Sequence, residues 1–558
     1  VKKENMGSFI LKINNVFFNL GIIFLFLLFN SFKIIIFHYK ISTLTLSYCF
    51  YTLAIVSLVY LIIFTLKSRI LAVLFFLLQF LYLATNYIYF SFFGIYLSPK
   101  LVYSLFEEGT ITVTRGIFPF GPFLLLFLID LPFFILILKK NYFDFFSSIK
   151  LRNKIIIFIS LFIIIFFYIE FKECGSKELR RHQELHEEFE IVEKYGLLVW
   201  QMNLFSYENY YLEKLQKSER VIQGEGKDKL YNIIFIQVEA MDSFIINLEW
   251  QGKKIMPYLN EISKKSIYYP YTLSYHFGGG TSDAEFSIIN SVEPLLYYPS
   301  IKIFNYSYDN SFVKILKKNG YIAKAFHGNY SSFFNRRYAF KAMGFDYFYD
   351  IRGMKLEMKG WGAADGDVFE FVLKELRNEK KPFFYYIITM SSHFPFTSVL
   401  NYYKNQDLYY EEKAIRNYFI SLNYVDFILK KYLEKFLETP ETYIFIFGDH
   451  PAFYFDSKFY KNPILYLNFR KYEFVPLLII TPERISYFEE KLCASFLDIA
   501  PTALYSSGVS FKYSTDGKNL THFPIEDNYF SHYDRKYKRS EMYEMIEKEY
   551  KYLLKVVK

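Results

Sequence analysis

Up to about residue 170 the chain is almost continuously apolar, and beyond it charged residues recur every few positions. A sequence divided in this way does not fold as one water-soluble body. Five apolar runs, near 14–32, 44–66, 70–95, 117–138 and 154–170, are long enough or nearly so to cross a bilayer as helices. The division predicts a transmembrane domain of five α-helices over 1–170 and an amphipathic helical linker over 171–230. An exported α/β domain would occupy 231–525, and a charged helical tail 526–558.

Flanking charge orients the spans. With the N-terminus inside, Lys2, Lys3, Lys12, Lys67, Arg69, Lys139, Lys140, Lys150, Arg152 and Lys154 face the cytoplasm, whereas the outer loops hold only Lys33, Lys40, Lys100 and Arg115. An odd number of spans then places everything after residue 170 outside the cell membrane, on its extracellular or periplasmic side. No small-residue cleavage site comes after the first run, which reads as an anchor. Asp130 sits inside the fourth run beside Pro132, where an acid needs a polar partner in the bundle. In the linker, Trp200 is expected at the headgroup level. The 66 Phe, 53 Tyr and excess of Lys over Arg fit an AT-rich coding bias and carry no binding argument. The net charge of +9 fits lysines near anionic lipid; no basic stripe or nucleic-acid motif is present. Three cysteines without a CxxC pair give neither a disulfide framework nor a zinc ribbon.

In the charged part, the short apolar runs Asn232–Val238, Tyr321–Phe326, Phe383–Met390, Tyr443–Phe447 and Val475–Ile480 alternate with helical patterns. Such runs read as strands of a mostly parallel central sheet covered on both faces. Chemistry-bearing residues stand at their carboxyl ends. The first four runs lead directly into Glu239, His327, Ser391-Ser-His393 and Gly448-Asp-His450. Ligands gather at the carboxyl ends of strands in open α/β sheets, so these distant residues are expected to meet.

One further stretch, His276-Phe-Gly-Gly-Gly-Thr-Ser-Asp-Ala-Glu-Phe286, reads as a glycine loop that delivers Thr281 to a helix start, with Ser282-x-x-Glu285 as a capping box. A threonine alcohol is a poor nucleophile at neutral pH unless a base or a cation favours the alkoxide. Glu239, Asp449 and His450 are the ligand types that a hard or borderline divalent cation needs, with Thr281 bound to the same ion. His393 and Arg336 would face a substrate anion.

Together the motifs Asn232-Ile-Ile-Phe-Ile-Gln-Val-Glu239, Tyr275-His276 followed by Gly279-Gly-Thr-Ser-Asp-Ala-Glu285, Phe333-Phe-Asn-Arg336, Ser392-His-Phe-Pro-Phe396, Gly448-Asp-His450 and Ser495-Phe-Leu-Asp-Ile-Ala-Pro-Thr502 resemble the lipoteichoic acid synthase-type phosphoglycerol transferases of the sulfatase/alkaline phosphatase superfamily. The resemblance implies one Mn²⁺ or Mg²⁺ on Glu239, Thr281, Asp449 and His450. It further implies a phosphothreonine intermediate, phosphatidylglycerol as donor, and a glycerol phosphate polymer, glycolipid or glycan as acceptor. Gln237, Gly280, Phe334 and Asn329 stand where the family commonly has His, Lys or Asn, Trp and Asp, and are assigned to the head-group pocket. These departures keep phosphoethanolamine transfer open as an alternative; a non-catalytic membrane scaffold is the second. No Cys or Ser lies in the C/S-x-P-x-R context that a true sulfatase needs.

Overall fold

The computed structural model describes residues 21–38, 50–66, 68–93 and 122–139, most of 218–547 with larger gaps at 404–412 and 453–471, and isolated positions between. The chain divides into two compact units, Val1–Pro99 with Phe118–Glu208, and Lys100–Ile117 with Asn209–Lys558. The expected linker over 171–230 is therefore split at residue 208, its later part belonging to the second unit.

In the first unit, helices α1 (Gly21–His38), α2 (Phe50–Thr65), α3 (Arg69–Phe93) and α4 (Leu131–Lys139) share an apolar core. Among the described residues, Gly21–His38 and Arg69–Ile88 are long and apolar enough to cross a membrane. The fifth expected span, 154–170, lies outside the described residues.

Two expectations change here. The fourth run is not one α-helix: Pro122–Leu128 is 3₁₀, and α4 begins only after a turn at Ile129 and Asp130. Pro132 explains the break, because its ring clashes with the carbonyl four residues back and is tolerated only in a first helical turn. Lys33, expected in an outer loop, lies within α1 and is fully buried 2.7 Å from Asp130. Asn30 also donates to Asp130 at 2.7 Å, and Gln79 accepts from Asn30 and Tyr60. The buried acid thus has its partner, since an apolar surrounding leaves a charge no alternative to pairing. Trp200 is fully buried, and Gln201 beside it bonds Asn86 of α3; the amphipathic stretch packs on protein there.

The second unit is built on a nine-stranded sheet. Its strands are β1 (Asn232–Val238), β2 (Ile267–Ser274), β3 (Ile322–His327), β4 (Tyr347–Tyr349), β5 (Phe383–Ile388), β6 (Thr442–Gly448), β7 (Glu473–Ile480), β8 (Tyr487–Phe488) and β9 (Ala494–Ser495). The order is β8-β2-β7-β6-β1-β5-β3-β4, with β9 also on β2. The sheet is mixed. β7 alone runs against its neighbours, antiparallel to both β6 and β2, although its apolar run had read as one more parallel strand. Periodicity shows that a strand is buried on both faces and says nothing of its direction.

Both faces carry core. One packs against α5 (Thr281–Asn290), α6 (Arg336–Met343) and the helix Ile499–Ser507; the other packs against the helices Asp365–Asn378 and Lys413–Leu437. In the C-terminal stretch the described residues form a hairpin, β10 (Tyr529–His532) with β11 (Arg535–Lys538), and Met542 and Ile546 after it enter the core. Buried Arg539 grips Asp498 through two 2.8 Å bonds.

Candidate active site

Because β6, β1 and β5 are parallel neighbours, the residues just beyond them leave from one edge of the sheet. One ligand atom each from Glu239, Asp449 and His450 falls within 4.8 Å of the other two. Each side chain is aimed by a second contact. Asp449 Oδ1 accepts the backbone N–H groups of Ala240 at 2.9 Å and His450 at 2.8 Å. Its Oδ2 is buried and makes no hydrogen bond among the described residues. His450 Nδ1 donates to the Pro451 carbonyl at 2.8 Å, which turns Nε2 toward Glu239 Oε1 at 3.4 Å and Asp449 Oδ2 at 3.6 Å. Backbone groups that fix carboxylate and imidazole orientation in this way are the usual support of a metal ligand set. Two carboxylates and an imidazole with an unsatisfied buried oxygen fit a divalent cation.

Thr281 is the first residue of α5 and half-buried, while Ser282–Asn290 behind it are buried. Its Oγ1 donates to Glu239 Oε2 at 3.2 Å, which joins the threonine to the carboxylate–histidine cluster. The glycines before it are needed for different reasons. Gly280 has φ +53°, and a Cβ on Gly279 would overlap the Asp283 carboxylate. Asp283 shapes the loop by accepting the N–H groups of Phe277 and Gly279, both at 2.9 Å. The expected capping box is absent: Ser282 Oγ bonds the Gly279 carbonyl, and Glu285 turns away to Arg336. The positive end of α5 still points at the threonine.

The electrostatics are those of a crowded acid cluster. Burial would raise the pKa of Glu239, but His393 and His450 beside it bring the carboxyl well below its usual range. Burial, and then the charge of Glu239, push Asp449 far up. His450 reaches about 10 because Asp449 and Glu239 outweigh the opposing effect of burial. His450 is thus protonated at neutral pH before a cation takes its place beside the carboxylates. Mn²⁺ binding at pH 7 should release about one proton or more per site, and the affinity should rise with pH up to about 10. Calorimetry in buffers of different ionisation enthalpy reads both quantities.

The residues expected at the substrate are placed unequally. His393 is partly open, stands 4.0 Å from Glu239 through Nε2, and stacks on Trp361 at 4.1 Å. Phe334 closes over Gly280, its ring 3.9 Å from where a Cβ there would lie. Phe334 and Asn335 are consecutive left-handed residues, φ +56° and +57°, a strained turn of the kind found at functional sites. Arg336, expected to face the anion with His393, is 1% exposed and gives Nε and Nη2 to Glu285, leaving Nη1 buried without a hydrogen bond among the described residues. Gln237 and Asn329 are 0% and 1% exposed, so neither forms an open wall. Gln237 accepts from the Tyr386 hydroxyl at 2.6 Å, and Asn329 Oδ1 accepts its neighbour's N–H at 2.7 Å. His327 ends β3, buried and held neutral by burial and then by the charge of Arg336.

Glu473 carries no signal in the sequence that would place it here. Since β7 is antiparallel, its first residue lies at the same edge as the last residues of the parallel strands, paired with Ser274. Trp361 is equally silent, because no regular pattern surrounds it.

An alcohol at a helix N-terminus beside an acid–acid–histidine set, on the carboxyl edge of a mixed α/β sheet, defines the sulfatase-like class of hydrolases and transferases. The sulfatase family model matches residues 231–509, half of the chain, and the protein belongs to this family. Within it the chain is similar to lipoteichoic acid synthase 2 of Bacillus subtilis, 28% identical over 56% of this chain and 50% of the relative. It is also 28% identical to the lipoteichoic acid synthase of Staphylococcus aureus, over 43% of this chain and 39% of the relative. The matches span about half the length of these relatives or less. Among solved structures, the integral membrane lipooligosaccharide phosphoethanolamine transferase A of Neisseria meningitidis shares the fold at a TM-score of 0.53. It is 12% identical and covers 87% of this chain and 96% of its own.

Proposed function

We propose that the protein is a membrane-anchored transferase that moves glycerol phosphate from phosphatidylglycerol to an acceptor hydroxyl through a phosphothreonine at Thr281. The observation that carries this reading is the Thr281 hydroxyl, half-buried and bonded to Glu239 within the Glu239, Asp449 and His450 cluster. The lipoteichoic acid synthases among its relatives support the choice of donor.

Mn²⁺ or Mg²⁺ held by Glu239, Thr281, Asp449 and His450 would favour the alkoxide and offset charge growing on the phosphate. The rest falls to side chains. Thr281 Oγ1, its hydrogen directed at Glu239 Oε2, attacks phosphorus, and the bond to the diacylglycerol oxygen breaks. The Thr281 proton passes to solvent, and the departing oxygen takes one from water to leave as the alcohol. An acceptor hydroxyl then attacks the phosphothreonine, the bond from phosphorus to Oγ1 breaks, and the acceptor's proton is exchanged through water for the one that restores the Thr281 hydroxyl. Arg336 Nη1 would donate to a phosphate oxygen, and His393, whose Nδ1 donates to the Phe394 carbonyl, would face the substrate with Nε2 as an acceptor, suited to taking the proton of the acceptor hydroxyl. Acceptors of fitting chemistry are a glycerol phosphate polymer, a glycolipid or a glycan, reached on the outer face of the membrane.

The test is incubation of the full chain with Mn²⁺ and vesicles of labelled phosphatidylglycerol or phosphatidylethanolamine, with mass spectrometry of Thr281. Diacylglycerol release and a glycerophosphoryl adduct are expected. An ethanolamine phosphate adduct in its place would overturn the donor.

A further inference from the structure

Two side chains of one short segment, Trp361 and Asp365, hold the loop that carries His393, and the phosphothreonine mechanism uses neither. The segment runs between the exits of β3 and β5. The Ala363 N–H donates to the Gly328 carbonyl at 2.8 Å, and a Cβ on Gly362 would come within 2.9 Å of that same oxygen. Asp365 then opens the helix Asp365–Asn378, buried, with both carboxylate oxygens given to another part of the chain. Its Oδ1 accepts the Met390 N–H at 2.7 Å and its Oδ2 the Ser391 N–H at 3.1 Å. Ser391 reciprocates: Ala364, at the N-cap, has no side-chain acceptor, and Ser391 Oγ accepts the Asp365 N–H at 3.1 Å. The loop so anchored is short and closed. The Met390 carbonyl accepts the His393 N–H at 3.1 Å, and Ser392 Oγ, between them, donates to the Glu239 carbonyl at 2.6 Å. Trp361, from the same segment as Asp365, stacks on the His393 imidazole at 4.1 Å with 28° between planes. One segment thus holds His393 by its backbone and by its ring.

We infer that Asp365 is the positioning residue of His393: it fixes the loop that presents Nε2 to the acceptor hydroxyl, and so serves the discharge of the phosphothreonine and not its formation. The inference rests on the transferase reading and deepens it. In discharge the acceptor oxygen bonds phosphorus, the bond to Thr281 Oγ1 breaks, Nε2 takes the acceptor's proton, and water returns one to Oγ1. Such a transfer needs Nε2 within hydrogen-bond reach of the proton, so a shift of about 1 Å in the loop is enough to slow it by about 10²-fold. Formation of the phosphothreonine depends on Thr281 and Glu239 instead. Glu239 has a support of its own ahead of the clamped residues, its N–H donating to Thr389 Oγ1 at 3.0 Å.

Three variants separate positioning from packing. D365N keeps the volume but sets an amide NH₂ against one of the two loop N–H groups; S391A removes only the reciprocal bond; H393F keeps a ring on Trp361 and deletes Nε2. Full-length proteins with Mn²⁺ would be mixed with vesicles of labelled phosphatidylglycerol or phosphatidylethanolamine, whichever the native protein uses. The initial burst of diacylglycerol reads formation of the Thr281 adduct, and loss of that adduct to added glycerol reads its discharge. D365N should discharge about 10- to 100-fold more slowly and S391A about 3- to 10-fold, each with a burst rate within about twofold of native. Combined with H393F, neither should slow discharge by more than a further factor of about two, because the group they position is already gone. Burst and discharge slowed alike, or the full penalty persisting in the H393F background, overturns the assignment while the transferase reading stands. Discharge by H393F at the native rate overturns it equally. Burst amplitude counts folded sites, and if D365N gives none, S391A decides by the same criteria. If the native protein forms no Thr281 adduct from either lipid, the transferase reading fails and takes this inference with it.

Discussion

Thr281→Ala should abolish diacylglycerol release, with a loss of about 10⁴-fold or more, the scale seen when a nucleophile is removed from a covalent mechanism. The hydroxyl is the only part of Thr281 bonded to Glu239, and the rest of α5 is anchored independently by Phe286, Ile288 and Ile289 in the core. The variant should therefore fold, with a melting temperature near the native value, and should still bind Mn²⁺ through Glu239, Asp449 and His450, somewhat more weakly. Thr281→Ser separates nucleophile from shape: it retains the oxygen and should keep measurable turnover. Lipid turnover by the alanine variant at the native rate would rule out the phosphothreonine route.

The clustering of Glu239, Asp449 and His450 was more legible than the scaffold around it. Glu239, Asp449 and His450 could be found because each stands just past a doubly buried apolar run, and parallel strands end at one edge. Direction was not legible: Val475–Ile480 looks like the other runs, yet it is antiparallel, and that reversal is what brings Glu473 to the site. The capping box misled because a short motif cannot see a partner 51 residues away; Glu285 pairs with Arg336, because a buried carboxylate left without a partner is strongly destabilising. In the first unit, Lys33 reads as a loop charge by hydropathy, and only Asp130, 97 residues on, reveals it as a buried partner. The C-terminal residues look like a solvated tail because their charge hides the few, Arg539, Met542 and Ile546, that enter the core.

Arg336 and Glu285 supply the second large effect, and its interest is that stability and activity should part company. Glu285 is fully buried on α5, four residues after the nucleophile, and Arg336 reaches it from α6 with Nη2 at 2.7 Å and Nε at 3.0 Å. Burial raises the pKa of Glu285, and the charge and hydrogen bonds of Arg336 oppose that rise. Arg336→Met leaves that carboxylate without its partner and should cost about 3–5 kcal/mol of unfolding free energy. Adding Glu285→Leu removes the orphaned charge. Replacing a buried ion pair by apolar groups of similar volume is often neutral or better, so the double variant should melt close to the native protein. Activity should not return with it. Nη1, the donor that Glu285 does not take, is gone in both variants, and loss of a charged donor to the phosphate should hold kcat/KM down by about 10²-fold or more. Thermal melting and diacylglycerol release, measured on the single and double variants together, decide the matter: if turnover recovers along with stability, Arg336 acts by holding α5 in place and meets no phosphate.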